Sequence, residues 1–196
     1  MTGKYDGPAE HYRLDAQSRC WLPIAGGAAF GYTDGDAVEL SLLGIIQSAS
    51  DLRTVSSELR TRISDWPSRY HLSPARGNLL RPLASLFEGR TLEIGAGCGA
   101  ITRFIAECGG TVHALEGSWQ RARIAAARCR DLLNVEVFVD AFDRFPVQGC
   151  YDVVTLIGVL EYARKYFPAA GADPVDALLR HARSFLRPGG VLIVSI

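Results

Sequence analysis

The stretch LEIGAGCGAITRFIAE, residues 92–107, decides the fold. A short apolar run enters three glycines at alternate positions, Gly95, Gly97 and Gly99, and an amphipathic run leaves them. That order reads as a buried strand, a tight turn and the start of a helix. Glycine suits such a turn because the backbone must bend sharply and a ligand must approach with no Cβ in its way. The open N-terminus of the helix that follows attracts nucleotide-like ligands. The loop alone leaves the ligand open: Gly95, Gly97 and Ala100 fit the dinucleotide pattern G-x-G-x-x-G/A, and G-x-G-x-G fits equally well.

Outward from the loop, apolar runs alternate with helical patterns. TLEIG, VHALE, VEVFVD, YDVVTLIG and VLIVSI are five strand candidates, and ITRFIAEC, WQRARIAAARCRDL and VDALLRHARSFL are helices between them. Short continuous apolar runs followed by helices indicate parallel strands covered on both faces, a doubly wound α/β sheet. A helix is expected from Pro74 to about Leu86, with Ser73 as N-cap and Pro74 at its first position. The turn LRPGG should end the last helix and start VLIVSI. Residues 1–70 have a different texture. There WLPI and AFGY read as short strands, and VELSLLGIIQ and SSELRTRISDW as helices, with no regular alternation. The expected organisation is an N-terminal α+β extension or cap (1–70) followed by a Rossmann-like domain (71–196).

Lysine plus arginine balance the acids at 21 each, so no net charge draws the chain to nucleic acid or to an anionic membrane. The five cysteines are odd in number and lack C-x-x-C spacing. That argues against a disulfide framework and against a zinc site, and suits a reducing compartment. With no apolar signal core and no membrane-length run, a cytoplasmic protein is expected.

Ligands of open α/β sheets bind outside the carboxyl ends of the strands. Three successive strand candidates end in acids: Glu93 before the glycine loop, Glu116 in ALEGS and Asp140 in FVDAFD. A carboxylate at the second position can accept both hydroxyls of a ribose. One at the third can accept from an adenine amino group.

With those residues in place, the chain resembles the class I S-adenosylmethionine-dependent methyltransferases from about Tyr70 to Ile196. The resemblance rests on LEIGAGCGAITRFIAE, HALEGSWQRARIAAAR, VEVFVDAFDRF, YDVVTLIGVLEYA and LRPGGVLIVSI, in order. It implies S-adenosyl-L-methionine as cofactor and S-adenosyl-L-homocysteine as product. Gly95, Ala96 and Gly97 would pass the methionyl part, and Glu93 would position it. Glu116 would hold the ribose, with Gly117 and Ser118 lining the adenosine. Asp140 and the Ala141 amide would read the adenine edge, Phe142 would cover the ring, and the Ile157 carbonyl would meet the ammonium. Upstream, RYHLSPARGNLLRPL is similar to the entrance helix of methyltransferase domains of bacterial surface-glycan assembly. There Tyr70 and Arg76 would approach the methionine carboxylate.

The resemblance further implies methyl transfer to a small-molecule or glycan acceptor. Glu161 in GVLEYA, four residues past Ile157 and so near the cofactor's methyl end, is the candidate general base,, with Tyr162 lining the same pocket. His11 and His71 are candidates by residue type alone, and His113 reads as structural. Members of the family carry two more strands after the fifth, so the sheet is expected to lack its last two. The exposed strand 191–196 should then pair with a second copy in a homodimer, or be covered by WLPI or AFGY. Two other functions are compatible with parts of the sequence. One is a catalytically silent cofactor-binding module of a larger glycan-processing protein. The other is a nicotinamide-dependent oxidoreductase, for which no Tyr-x-x-x-Lys signature is present.

Overall fold

In the computed structural model, residues 10–26, 33–146, 149–166 and 173–196 are described. The chain begins with a hairpin, β1 (Tyr12–Asp15) and β2 (Cys20–Pro23). Its turn closes on Asp15, whose carboxylate accepts from the Ser18 amide at 2.9 Å and whose carbonyl accepts from the Arg19 amide at 2.7 Å. Three helices follow: α1 (Asp36–Ser48), α2 (Ser57–Thr61) and α3 (Trp66–Leu72). SSELRTRISDW is therefore split between two helices. The first helix ends at Thr61, and Asp65 forms a capping box with Ser68 that starts α3,.

The helix expected over Pro74–Leu86 is instead two 3-10 segments, Pro74–Leu79 and Arg81–Glu88. Ser73 does cap, accepting from the Ala75 amide at 3.2 Å. Pro82 then interrupts, since it has no N–H to donate and its ring collides with the preceding turn.

The alternating part runs β3 (Arg90–Ile94), α4 (Ala100–Glu107), β4 (Thr111–Glu116), α5 (Trp119–Arg128), β5 (Val135–Val139) and β6 (Tyr151–Ile157). After β6 come α6 (Ala163–Tyr166), α7 (Pro174–Ser184) and β7 (Leu186–Ser195). One sheet takes the order β1-β2-β5-β4-β3-β6-β7, parallel throughout except for β1 against β2.

The sheet lacking two strands is thus corrected: it has seven strands, and β7 is present and paired along β6 from Val153↔Val191 to Ile157↔Ser195. The N-terminal hairpin brings the additional pair, and it joins beside β5, at the edge opposite to β7. WLPI therefore contributes a strand, though not next to residues 191–196, and AFGY lies outside the described residues. LRPGG is not a separate turn. It lies within β7 at a register irregularity opposite Tyr151–Val153, where Gly189 takes φ +80°,.

Alternation along β6 sends neighbours to opposite faces. Val154 joins the core under α7, with Leu92, Leu115, Phe138, Leu178 and Phe185. Val153 joins the core under α4, with Leu80, Phe87, Ile101 and Ile105. On that second face α1 packs on α5, and Leu42, Ile46, Leu59 and Leu72 close over Cys98 and Ile124. The loops after β3, β4, β5 and β6 consequently open at one end of the sheet, between its two helical layers. Among the described residues no helix is long and apolar enough to cross a membrane.

Candidate cofactor site

A cavity of about 180 Å³ opens at the carboxyl ends of β3, β4, β5 and β6. Its floor is the glycine loop, in which Gly95, Gly97 and Gly99 have φ of +76°, +56° and +78°. The Gly95 and Ala96 amides both donate to the Leu115 carbonyl, at 2.8 and 3.1 Å, which ties the loop to the end of β4. A Cβ on Gly99 would sit 2.7 Å from the Ala125 Cα of α5. Glycine there is what lets α4 lie close on α5.

Each acid has a distinct setting. Glu116 accepts from the Gly97 amide on Oε2 at 2.7 Å and from the Ser118 amide on Oε1 at 2.8 Å. Each oxygen keeps one further acceptor site, a match for two neighbouring hydroxyl donors. Burial raises its pKa, an effect that the Arg121 charge and the two amides oppose. Glu93 is equally buried: its Oε2 accepts from the Thr102 hydroxyl at 2.5 Å, and burial pushes its carboxyl up to about 8. Asp140 is held by the Tyr12 hydroxyl on Oδ2 and by the Ala141 amide and Arg144 on Oδ1.

The far wall comes from the N-terminal half. Arg76 lies over the Tyr70 ring, 4.1 Å from its centroid, and donates to the Tyr70 hydroxyl at 3.1 Å. A side chain on Gly158, after β6, would meet the Tyr70 hydroxyl at 3.5 Å and Glu161 Oε1 at 3.8 Å. These two groups therefore converge above Gly158.

Of the residues expected at the site, Tyr70, Arg76, Glu93, Gly95, Ala96, Gly97, Glu116, Gly117, Asp140, Ala141, Phe142, Ile157, Glu161 and Tyr162 line this one cavity. Ser118 does not; its amide orients Glu116 from behind. His113 lies away from the cavity, between Tyr151 at 2.8 Å and Glu136 at 3.0 Å. His71, a candidate by type only, does line the cavity, with Nε2 3.0 Å from Asp34 Oδ2. Burial pulls its imidazole down to about 4. Arg121 is an addition that the sequence does not announce: it reaches the wall from α5, 3.7 Å from Asp34. Its neighbours Gln120 and Arg123 are also polar, so nothing in the local sequence singles it out.

The match of a family profile to residues 92–192, described as a methyltransferase domain, covers the glycine loop, the end of β3 and all of β4, β5 and β6, which frame this cavity. The chain belongs to the class I S-adenosylmethionine-dependent methyltransferases. This decides against the nicotinamide alternative. The methyltransferase chain is 26% identical over 137 residues to the ubiquinone biosynthesis O-methyltransferase of Xanthomonas campestris pv. campestris (strain B100), covering 67% of this chain and 54% of that protein. It thus spans about half the length of the curated relatives it matches. Among solved structures, the DhpI–SAH complex is 27% identical with a TM-score of 0.50, over 81% of this chain and 68% of that one. Coclaurine N-methyltransferase bound to N-methylheliamine and SAH gives a TM-score of 0.51 at 19% identity, over 84% and 52%. At that identity the likeness is one of fold.

Proposed function

We propose that this methyltransferase domain binds S-adenosylmethionine across the ends of β3, β4 and β5 and passes its methyl group to a hydroxyl of a small molecule. The observation that carries the reading is the Glu116 carboxylate. It is buried at the end of β4, fixed by two amides, and retains an acceptor site on each oxygen for a ribose diol. The glycine loop fits the same ligand, because a Cβ on Gly95 would lie 2.4 Å from Val159 and narrow the passage between the loop and β6.

When bound, the sulfonium supplies an activated methyl group, and the residues of the chain bind and align. Asp140 would accept from the adenine amino group, with Ala141 beside it and Phe142 over the ring. Glu93 and the Ile157 carbonyl would face the ammonium. Arg76 and Tyr70 would meet the carboxylate, for which a guanidinium fork is suited. Glu161 would take the proton of the acceptor hydroxyl, and Tyr162 would line the approach. An oxygen acceptor is favoured because the curated relatives are named O-methyltransferases. A sugar or glycan hydroxyl is the narrower form, supported by the sequence RYHLSPARGNLLRPL.

Calorimetric titration with S-adenosylmethionine should show binding that Glu116→Ala weakens by about 1.5–3 kcal/mol, since charge-assisted hydrogen bonds to two hydroxyls are lost. Unchanged affinity in that variant would remove the assignment. Transfer of a labelled methyl group to phenolic and sugar hydroxyls, lost in Glu161→Gln, tests the acceptor. Tight binding with no transfer to any acceptor would indicate a silent binding module.

A further inference from the structure

We propose that Tyr12 is a positioning residue for purine recognition: through Asp140 it leaves a single acceptor site, suited to a purine with an amino group at C6. The inference rests on the cofactor reading above. The hairpin is laid beside β5 by pairing Cys20 with Val137 and Trp21 with Phe138. That brings Tyr12 against Phe138 and Phe145, at ring-centroid distances of 5.2 and 6.0 Å. Its hydroxyl donates to Asp140 Oδ2 at 2.8 Å within the core. Burial raises the phenol far above its ordinary range, so it remains a donor at every working pH.

The other oxygen is fully used. Asp140 Oδ1 accepts from the Ala141 amide at 2.7 Å and from Arg144 Nη2 at 2.5 Å. A carboxylate offers about four lone-pair sites. Two are taken on Oδ1 and one on Oδ2, which leaves one, on Oδ2, beside the Tyr12 hydroxyl. A 6-amino purine donates into that site. A 6-oxo purine would set an oxygen against an oxygen and bury an acceptor without a donor. Without the Tyr12 hydroxyl, Oδ2 has two open sites and the carboxylate loses one of three restraints. It can then rotate or take up water, and the distinction between the two purines weakens.

The test is calorimetric titration of S-adenosylhomocysteine and S-inosylhomocysteine against the wild type, Tyr12→Phe, Asp140→Asn and the double variant, with thermal melting alongside. Phenylalanine keeps the ring contacts to Phe138 and Phe145, so the fold should persist. The wild type should prefer the adenosyl ligand. Tyr12→Phe should weaken that ligand about five- to tenfold and leave the inosyl ligand unchanged, so the ratio narrows. In the Asp140→Asn background the same substitution should leave the ratio where it is. Equal losses for both ligands, or a further change of ratio in the Asp140→Asn background, would overturn the proposal and make Tyr12 a packing residue. A wild type that binds neither ligand would overturn the cofactor reading, and this inference with it.

Discussion

Glu93 carries a carboxyl group that is almost wholly buried at the cavity wall, and this has a thermodynamic sign. Burial lifts its pKa from 4.5 to about 8. Between those values the folded chain keeps a proton that the unfolded chain has released. The group therefore favours folding below pH 4.5, and its contribution is lost as pH rises through 8. On the proposed cofactor reading an ammonium group would come to lie beside Glu93 and favour the ionised form, so cofactor binding at neutral pH should expel a proton. Titration in two buffers of different ionisation enthalpy should reveal that release, and Glu93→Gln should abolish it while flattening the loss of melting temperature between pH 5 and 8. Equal proton release from the variant would count against this account. The acids at strand ends were legible in the sequence because a strand's end is a local property. Arg121, His71 and Tyr12 acquire their partners from segments distant in the chain, such as Asp34 for His71 and Asp140 for Tyr12, and composition around them gives no sign of it.

At the scale of elements, the glycine loop holds positions with different tolerances. A Cβ on Gly99 would meet the backbone of α5, at 2.7 Å from Ala125 Cα, whereas one on Gly97 would meet only the end of the Arg121 side chain at 3.2 Å. Gly99→Ala should cost about 2–4 kcal/mol in urea unfolding, from overpacking and a left-handed backbone. Gly97→Val should leave a folded chain whose defect appears in cofactor titration. A Gly99→Ala chain as stable as the wild type would show that α4 and α5 can slide apart freely. The five strands β3 to β7 were readable because each contains a short apolar run bounded by turn residues. The 3-10 path from Pro74 to Glu88 was not, since the apolar spacing of LLRPLASLF is helical and only Pro82 breaks it. β1 was missed because YRLD has only two apolar residues and its Leu14 is exposed.

For the whole molecule, the helical segment between β2 and β3 is fastened to α5 and the turn after it by arginines that reach backbone carbonyls. Arg128 donates to the His71 carbonyl at 2.6 Å. Arg130 donates to Ile46 at 2.8 Å and to Ala49 at 2.5 Å. Glu107, itself paired with Arg103 at 2.7 Å, accepts from the Thr54 amide. Such contacts explain why the cavity has a firm wall on the side of Tyr70 and His71. The strand count could not be read from the sequence for a different reason: β2 of the hairpin pairs with β5 only at Cys20↔Val137 and Trp21↔Phe138, and no local pattern announces so short a ladder.

The position of that hairpin bears on the order in which the protein is made. β1 and β2 are synthesised before the other strands of the sheet, yet β5, the strand with which β2 pairs, follows only after α1 through α5. Closing so long a stretch of chain is slow relative to pairing β3 with β4, whose connection is short. During refolding, the Gly95 amide, which donates to the Leu115 carbonyl, and the Thr111 amide, which donates to the Gly89 carbonyl, should gain protection from pulsed hydrogen exchange before the amides of β2; simultaneous protection would contradict this. A nascent chain would then pass through a stage in which the parallel sheet is complete while Tyr12 has yet to reach Asp140. Full affinity for a purine ligand would be the last property the molecule acquires.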